Sequence, residues 1–174
     1  MNVQNKLARF EQTIVPHLDS AYNLARWLTR NDQDAEDVVQ EAYLRAFKFF
    51  ESFHGGDSRT WMLTIVRNTC YTWLHRNQNV ALSETFDEEI HSDGCDRRGL
   101  ERLLLEDADR ELLRQALNEL PEEFREVMIL RELEGLSYKE IAVICRVPLG
   151  TVMSRLARAR KRLQETLSKR IQVE

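Results

Sequence analysis

Glycine and proline are scarce in this chain, 6 and 3 of 174 residues. So few turn-formers cannot supply the tight reversals of a β-sandwich, a barrel or a doubly wound sheet. Cysteine is scarce too: Cys70, Cys95 and Cys145 lie far apart, and an odd count makes no disulfide framework. There is no CxxC pair and no HExxH, which argues against a closed zinc site, and no metal or cofactor is expected. No apolar run approaches the roughly 18 residues that a membrane span needs. The opening MNVQNKLARF has no apolar signal-peptide core. A soluble, cytoplasmic protein without membrane insertion is the expectation.

What is abundant is charge, 31 % of residues, beside 43 % apolar residues. A chain of 174 residues with that balance suits one domain, or two small helical ones joined by a linker. The net charge of −4 hides a strong segregation. Residues 1–76 carry 9 basic and 9 acidic groups, whereas 83–111 carry 11 acidic and 4 basic. From Arg146 to Arg170 there are 8 basic groups against Glu165 alone. That polarity points to an anionic partner for the C-terminal part and a different task for the middle.

Helical periodicity dominates. Phe10, Ile14, Leu18, Ala21, Ala25 and Leu28 predict an amphipathic helix over about 7–30, kinked or restarted at Pro16. Asn31 and Asp32 look like a turn and cap. Ala35, Val38, Val39, Ala42, Ala46, Phe49, Phe50 and Phe53 then form an apolar stripe on a second helix. His54-Gly55-Gly56-Asp57-Ser58 breaks it, with Ser58 placed to cap a third helix over 59–76. Periodicity then stops, and residues 77–108 read as a flexible acidic linker. It resumes with LLLEDADRELLRQALNEL. Pro121 opens the next helix, Gly135 ends it, and Ser137 with Glu140 forms a capping box for another. A last helix is expected from Thr151 to about 168. The fold class is therefore all-α: two small helical domains and a linker.

Three faces carry chemistry. LSYKEIAVICRVPLGTVMSRLARARKRL has a short helix, a tight turn and a long basic helix, the layout of a helix-turn-helix. With Val152, Leu156, Ala159, Leu163 and Leu167 turned inward, Thr151, Ser154, Arg155, Arg158, Lys161 and Arg162 face outward. Hydroxyls at a helix start with cations beyond suit major-groove base contacts and phosphate clamping. On the second helix Asp37, Gln40, Glu41, Leu44 and Lys48 line the side opposite the apolar stripe, with Asp34 one turn earlier. The third helix mixes aromatics with cations. Trp61 is read as packing; Arg67, Asn68, Tyr71 and Arg76 are read as contacts to single-stranded DNA.

These segments resemble a known family. SYKEIAVICRVPLGTVMSRLARARKRL is closely similar to region 4 of the extracytoplasmic-function (ECF, group IV) sigma factors, members of the sigma-70 family. DAEDVVQEAYLRAF resembles the region 2 helix, SRTWMLTIVRNTCYTWLHR the promoter-melting part after it, and LNELPEEFREVMILRELEGLSYKEIA the start of region 4. The resemblance implies sigma region 2 over 1–76, a linker over 77–108 and sigma region 4 over 109–174. It implies a promoter-recognition subunit, not an enzyme. Asp34, Asp37, Gln40, Glu41, Leu44 and Lys48 would then meet the clamp of the largest subunit of RNA polymerase. Region 4 would meet the flap of the second-largest subunit. Phe53, Gly55, Asp57 and Ser58 match the loop that captures a flipped base of the −10 element. Arg146, Pro148 and Gly150 join the residues reading the −35 element. The acidic linker would thread the polymerase's basic channels.

One position departs from the family. Met153 stands where an arginine is common, so Arg155 and Arg158 are expected to carry more of the −35 contact. The chain ends soon after region 4, and control in trans by an anti-sigma factor is the expectation. The competing reading is a stand-alone helix-turn-helix regulator that binds duplex DNA without polymerase. It predicts a dimer surface, and no heptad pattern supplies one.

Overall fold

Eight α-helices and no strand make up the residues that the computed structural model describes, 2–81 and 100–173, with side chains for 2–78 and 108–173. α1 (Val3–Ile14) starts on Asn2, whose Oδ1 accepts the Gln4 N–H at 3.4 Å. Pro16 has no N–H to continue the ladder. The chain therefore makes one tight turn over Val15–His17 and restarts as α2 (Leu18–Thr29). α2 ends with Arg30 in the left-handed region at φ 61°, where the sequence has no glycine to offer. Asn31 then caps α3 (Asp32–Phe49), its Oδ1 accepting from the Asp34 N–H at 3.0 Å.

Gly55 and Gly56, at φ 93° and 94°, carry the chain round to α4 (Ser58–Ala81). A Cβ at either glycine would meet nothing within 4 Å, so the backbone angle is the reason for glycine there. Asp57, not Ser58, caps α4: its Oδ1 accepts the Thr60 N–H at 3.2 Å and its other oxygen takes the Thr60 hydroxyl. Ser58 instead meets His17, with Oγ 2.8 Å from Nε2. Ile14, Leu24, Leu28, Met62 and Leu63 are fully buried where α1–α4 meet. Phe10 seals the outer edge with its ring edge-on to Tyr43, Phe47 and Phe50.

The second half comprises α5 (Leu100–Glu119), α6 (Glu122–Met128), α7 (Tyr138–Cys145) and α8 (Leu149–Ile171). α4 and α5 thus reach into the stretch that periodicity assigns to a linker, whose middle lies outside the described residues. Pro121 precedes α6, with Glu122 and Glu123 in its first turn. α6 loosens into a single wide turn over Ile129–Leu133, where the Glu134 N–H reaches back five residues to the Ile129 carbonyl at 3.1 Å. The Ser137–Glu140 capping box is closed in both directions. Arg146, left-handed at φ 56°, ends α7, and Pro148 caps α8, which begins at Leu149, two residues before the expected Thr151.

The two halves pack against each other. α4 lies against α7 and α2 against α6, and the buried apolar residues of both halves form one continuous cluster. Arg125 is the centre of this junction. It is wholly buried, and its guanidinium donates to the carbonyls of Leu120 (2.8 Å), Trp27 (3.1 Å) and Leu117 (3.3 Å). Burial pulls its pKa down to about 10, so it remains a cation held by carbonyl dipoles on both halves.

Candidate nucleic-acid interface

The helix-turn-helix is α7, the turn at Arg146–Pro148, and α8. Val152, Leu156 and Ala159 are buried beneath α8. Pro148, Gly150, Ser154, Arg158, Lys161 and Arg162 are exposed along its outer side, Arg146 is exposed in the turn, and Thr151 and Arg155 are half-buried. Part of the positive charge is already engaged. Arg155 pairs with Glu123 at 3.6 Å, Arg160 with Glu132 at 3.1 Å, and Arg162 sits 4.9 Å from the centroid of the Phe124 ring. Met153, 52 % exposed, sits among these groups and brings no donor.

The outer face of α3 is open. Asp37, Gln40, Leu44 and Lys48 are exposed, and Leu44 is 72 % exposed, far more than a leucine with a packing role. Glu41 is tied to Arg45 one turn on, and Asp34 occupies the first turn. Among the described residues, no element of the second half packs on α3 to a substantial extent.

The residues of α4 and its preceding loop expected to meet single-stranded DNA are placed differently. Phe53 stacks on the loop side, 5.1 Å from Trp61 and 6.2 Å from Phe50, centroid to centroid, which makes Trp61 a packing residue. Asp57 is committed to Thr60, and that bond is the main cause holding its carboxyl below the usual range. Gly55 and Ser58 border the same loop, and Arg76 is exposed further along α4. Arg67, however, lies over the Tyr71 ring at 4.1 Å and turns its fork onto Glu126 of α6. Its Nε and one terminal nitrogen donate to the two carboxylate oxygens at 3.1 and 3.2 Å.

Glu126 is completely buried. Burial works against the charge on Arg67, but the hydrogen bond and charge of Glu126 outweigh it and raise the guanidinium's pKa. Tyr71 is driven up by burial and then by the same carboxylate, and its buried hydroxyl has no well-formed hydrogen bond. The thiols of Cys70, pushed up to about 12, and of Cys145, also raised, owe this first to burial and next to Glu126. Neither is an activated thiol. Cys95 lies outside the described residues.

Sequence reasoning counts Arg59 among the cations of the third helix without a specific role, and does not find Glu126 or Glu134. Arg59 donates to both the carbonyl and the carboxylate of Glu134, at 2.7 Å each, a further bridge between the halves beside Arg125–Trp27 and Arg67–Glu126. The only local hint is that Arg125 and Glu126 interrupt the apolar run of FREVMIL. Beside this bridge a cleft of about 640 Å³ opens between the loop residues Phe53–Asp57, Trp61 and Thr64 on one wall and Lys139, Glu140 and Val143 on the other. Among the described residues no three His, Cys, Asp or Glu side chains gather as a metal site, and no helix is long and apolar enough to cross a membrane.

A helix-turn-helix with a cationic second helix, joined to a helical unit with an aromatic–cationic helix, defines a two-part helical protein of the DNA-binding class. Comparison with known proteins narrows this. The families Sigma-70 region 2 and Sigma-70, region 4 match residues 13–80 and 110–163. The ECF RNA polymerase sigma factor SigE of Mycolicibacterium smegmatis is 33 % identical over 178 residues, 95 % of this chain and 64 % of that protein. The ECF RNA polymerase sigma-E factor of Escherichia coli is 38 % identical over 135 residues, 74 % of this chain and 71 % of that one. Among solved structures, the sigma factor RpoE in complex with the anti-sigma factor NepR from Bartonella quintana has a TM-score of 0.76 and 31 % identity, covering 92 % of this chain and 97 % of that one. The chain belongs to the ECF sigma factors of the sigma-70 family.

Proposed function

We propose that this protein is a cytoplasmic promoter-recognition subunit that docks on core RNA polymerase and sets where transcription starts. Residues 1–76 act as region 2, 77–108 as the linker and 109–174 as region 4. The exposed face Asp37-Gln40-Leu44-Lys48 on α3 is the observation that carries the polymerase contact, because among the described residues no other helix covers these four side chains. A projecting leucine with Asp37 and Glu41 on the same face suits an arginine-rich clamp surface. The second-largest subunit's flap would hold region 4. The −10 element would be read by the loop and by Arg67, Asn68, Tyr71 and Arg76. The −35 element would be read by α8.

Electrostatics supports dependence on polymerase. The net charge is −4, and Glu123 and Glu132 partly neutralise α8, so phosphate attraction by the protein alone is weak and salt-sensitive. The relative crystallised with an anti-sigma factor supports control by such a partner here. The test is run-off transcription with bacterial core polymerase on a pool of the source genome's promoter fragments. Discrete transcripts that require the protein, and disappear with Asp37→Arg or Arg158→Ala, are expected. Unchanged start sites, together with tight duplex binding in the absence of polymerase, would favour the stand-alone regulator.

A further inference from the structure

α1 turns one face toward the loop that precedes α4. Lys6, Arg9 and Thr13 recur on it at three- and four-residue spacing, while Phe10 and Ile14 are buried and fix the rotation of the helix. With Phe50, Phe53 and His54 those three residues line a cavity of about 580 Å³, inside the range of roughly 300–1,000 Å³ found for small-ligand pockets. Two cations share it with one carboxylate. Lys6 lies 3.9 Å from Glu51 and 4.8 Å from the centroid of Phe47, and Arg9 lies 5.9 Å from that of Phe50. An ion pair as long as Lys6–Glu51, with the Glu51 side chain 65 % exposed, is weakly held. On their other side Phe53, His54 and Gly55 border the cleft beside Trp61. The loop therefore stands between two cavities.

We propose that the cavity between α1 and the loop is a second nucleotide site on the melted promoter strand, holding the nucleotide beside the one that the loop captures, with Lys6 and Arg9 on its phosphate and its base against Phe53. The site rests on the sigma reading above and adds α1 to a strand interface that the reading confines to the loop and α4. A backbone phosphate accepts from both cations at once, and charge-assisted bonds of this kind are the strong ones. The rings of Phe50 and Phe53 supply an apolar wall for a base, and the Thr13 hydroxyl adds one polar contact. A base seated in such a cavity must be unpaired, so the site favours melted DNA over duplex. Phosphate contact and stacking tolerate any base, so its contribution is to affinity for the strand and not to base preference.

The experiment uses holoenzyme assembled from core polymerase and either the unmodified protein or Lys6→Gln/Arg9→Gln, which removes both charges and keeps most of each stem. The probe is the fluorescent non-template strand of a promoter that the run-off experiment yields, in a series with one phosphate at a time replaced by an uncharged methylphosphonate. The unmodified holoenzyme is expected to lose about tenfold in affinity at one or two adjacent linkages, as loss of a charge-assisted contact does. The variant should bind the natural strand about tenfold more weakly and lose nothing further at those linkages, while its losses elsewhere and its affinity for core polymerase stay unchanged. A variant that still loses affinity at every linkage as the unmodified protein does overturns the α1 site and leaves the sigma reading intact. An unmodified holoenzyme that does not bind the strand at all overturns the sigma reading itself.

Because Lys6 is half-buried against Phe47, a second pair of variants separates charge from packing. Arg9→Gln changes an exposed position only and should show the same loss of sensitivity at one linkage. Lys6→Arg keeps the cation and should restore strand binding. A Lys6→Arg protein as weak as Lys6→Gln, with Arg9→Gln indistinguishable from the unmodified protein, would make the face a packing surface and refute the site.

Discussion

Arg67 and Glu126, 59 positions apart in sequence, make a two-pronged ion pair at 3.1 and 3.2 Å, one partner on α4 and the other on α6. The pair ties the first half of the molecule to the second. Its position separates residues that hold the protein together from residues that meet partners, and the predictions follow that division.

Leu44→Ala is expected to weaken binding to core polymerase by about tenfold, roughly 1.4 kcal/mol, with a melting temperature unchanged within error. At 72 % exposure the leucine has little burial to lose in the free protein. Fluorescence titration of core polymerase beside differential scanning calorimetry checks both halves. A fall in melting temperature as large as the loss of affinity would make Leu44 a structural residue.

Arg125→Met is expected to destabilise the protein by about 3 kcal/mol, because the carbonyls of Leu117, Leu120 and Trp27 lose a donor while buried, at about 1–3 kcal/mol for each left unpaired. Arg125→Lys should recover little, since one ammonium cannot span three acceptors on two helices and a loop. Denaturant melts of the three proteins distinguish this from a simple requirement for positive charge.

Gly150→Ala separates stability from recognition in the opposite direction. Gly150 sits in the first turn of α8 with ordinary helical angles, and an added Cβ would meet nothing within 4 Å. Alanine should therefore raise stability by up to about 0.5–1 kcal/mol through helix propensity. It should also lower −35 binding by the holoenzyme, because the methyl projects where duplex DNA must approach. A variant that transcribes as well as the unmodified protein would remove Gly150 from the DNA-contact set.

Arg158→Ala should lower the salt dependence of promoter binding by about one unit of log–log slope, as loss of one phosphate contact does. Met153→Arg should act in reverse, adding a cation to an exposed position on the same helix. Holoenzyme binding measured across a salt series reads both slopes.

His17 gives a pH prediction. Burial first, and the charge of Arg59 second, hold its pKa below 6.5, with Asp57 pulling partly the other way. The unfolded chain thus binds the proton more readily than the native one. His17's contribution is complete above about pH 6.5 and falls away as pH drops through the interval down to its native value. The difference in denaturation midpoint between His17→Gln and the unmodified protein should therefore change with pH in that interval and be constant above it. A constant difference throughout would remove the linkage.

Much of the helical plan is legible in the sequence because its signals are local. Pro16 forces a restart, Asn31 and Ser137 supply caps with a side-chain oxygen three residues before the bonded N–H, and apolar spacing marks the buried faces. The closure of the two halves is not legible, because Arg59–Glu134 and Arg67–Glu126 join residues 75 and 59 positions apart. A guanidinium with a nearby tyrosine reads equally as a strand contact or as half of a buried ion pair, and only the packing of α6 decides which is formed in the free chain. Capping of α4 is misassigned to Ser58 because Asp57 and Ser58 are both good cap residues in adjacent positions, and His17 draws Ser58 away.

The wide turn over Ile129–Leu133 also sets an angular phase. It accommodates one residue more than an α-helical turn, and one residue is worth about 100° of rotation. Glu126 lies before it, Glu134 just after it, and the recognition helix follows. Deleting a single residue from this turn would leave every motif in the chain intact. It would still swing α7 and α8 round relative to α6, so that a region 4 seated correctly on its partner would present the wrong side of α8 to the DNA.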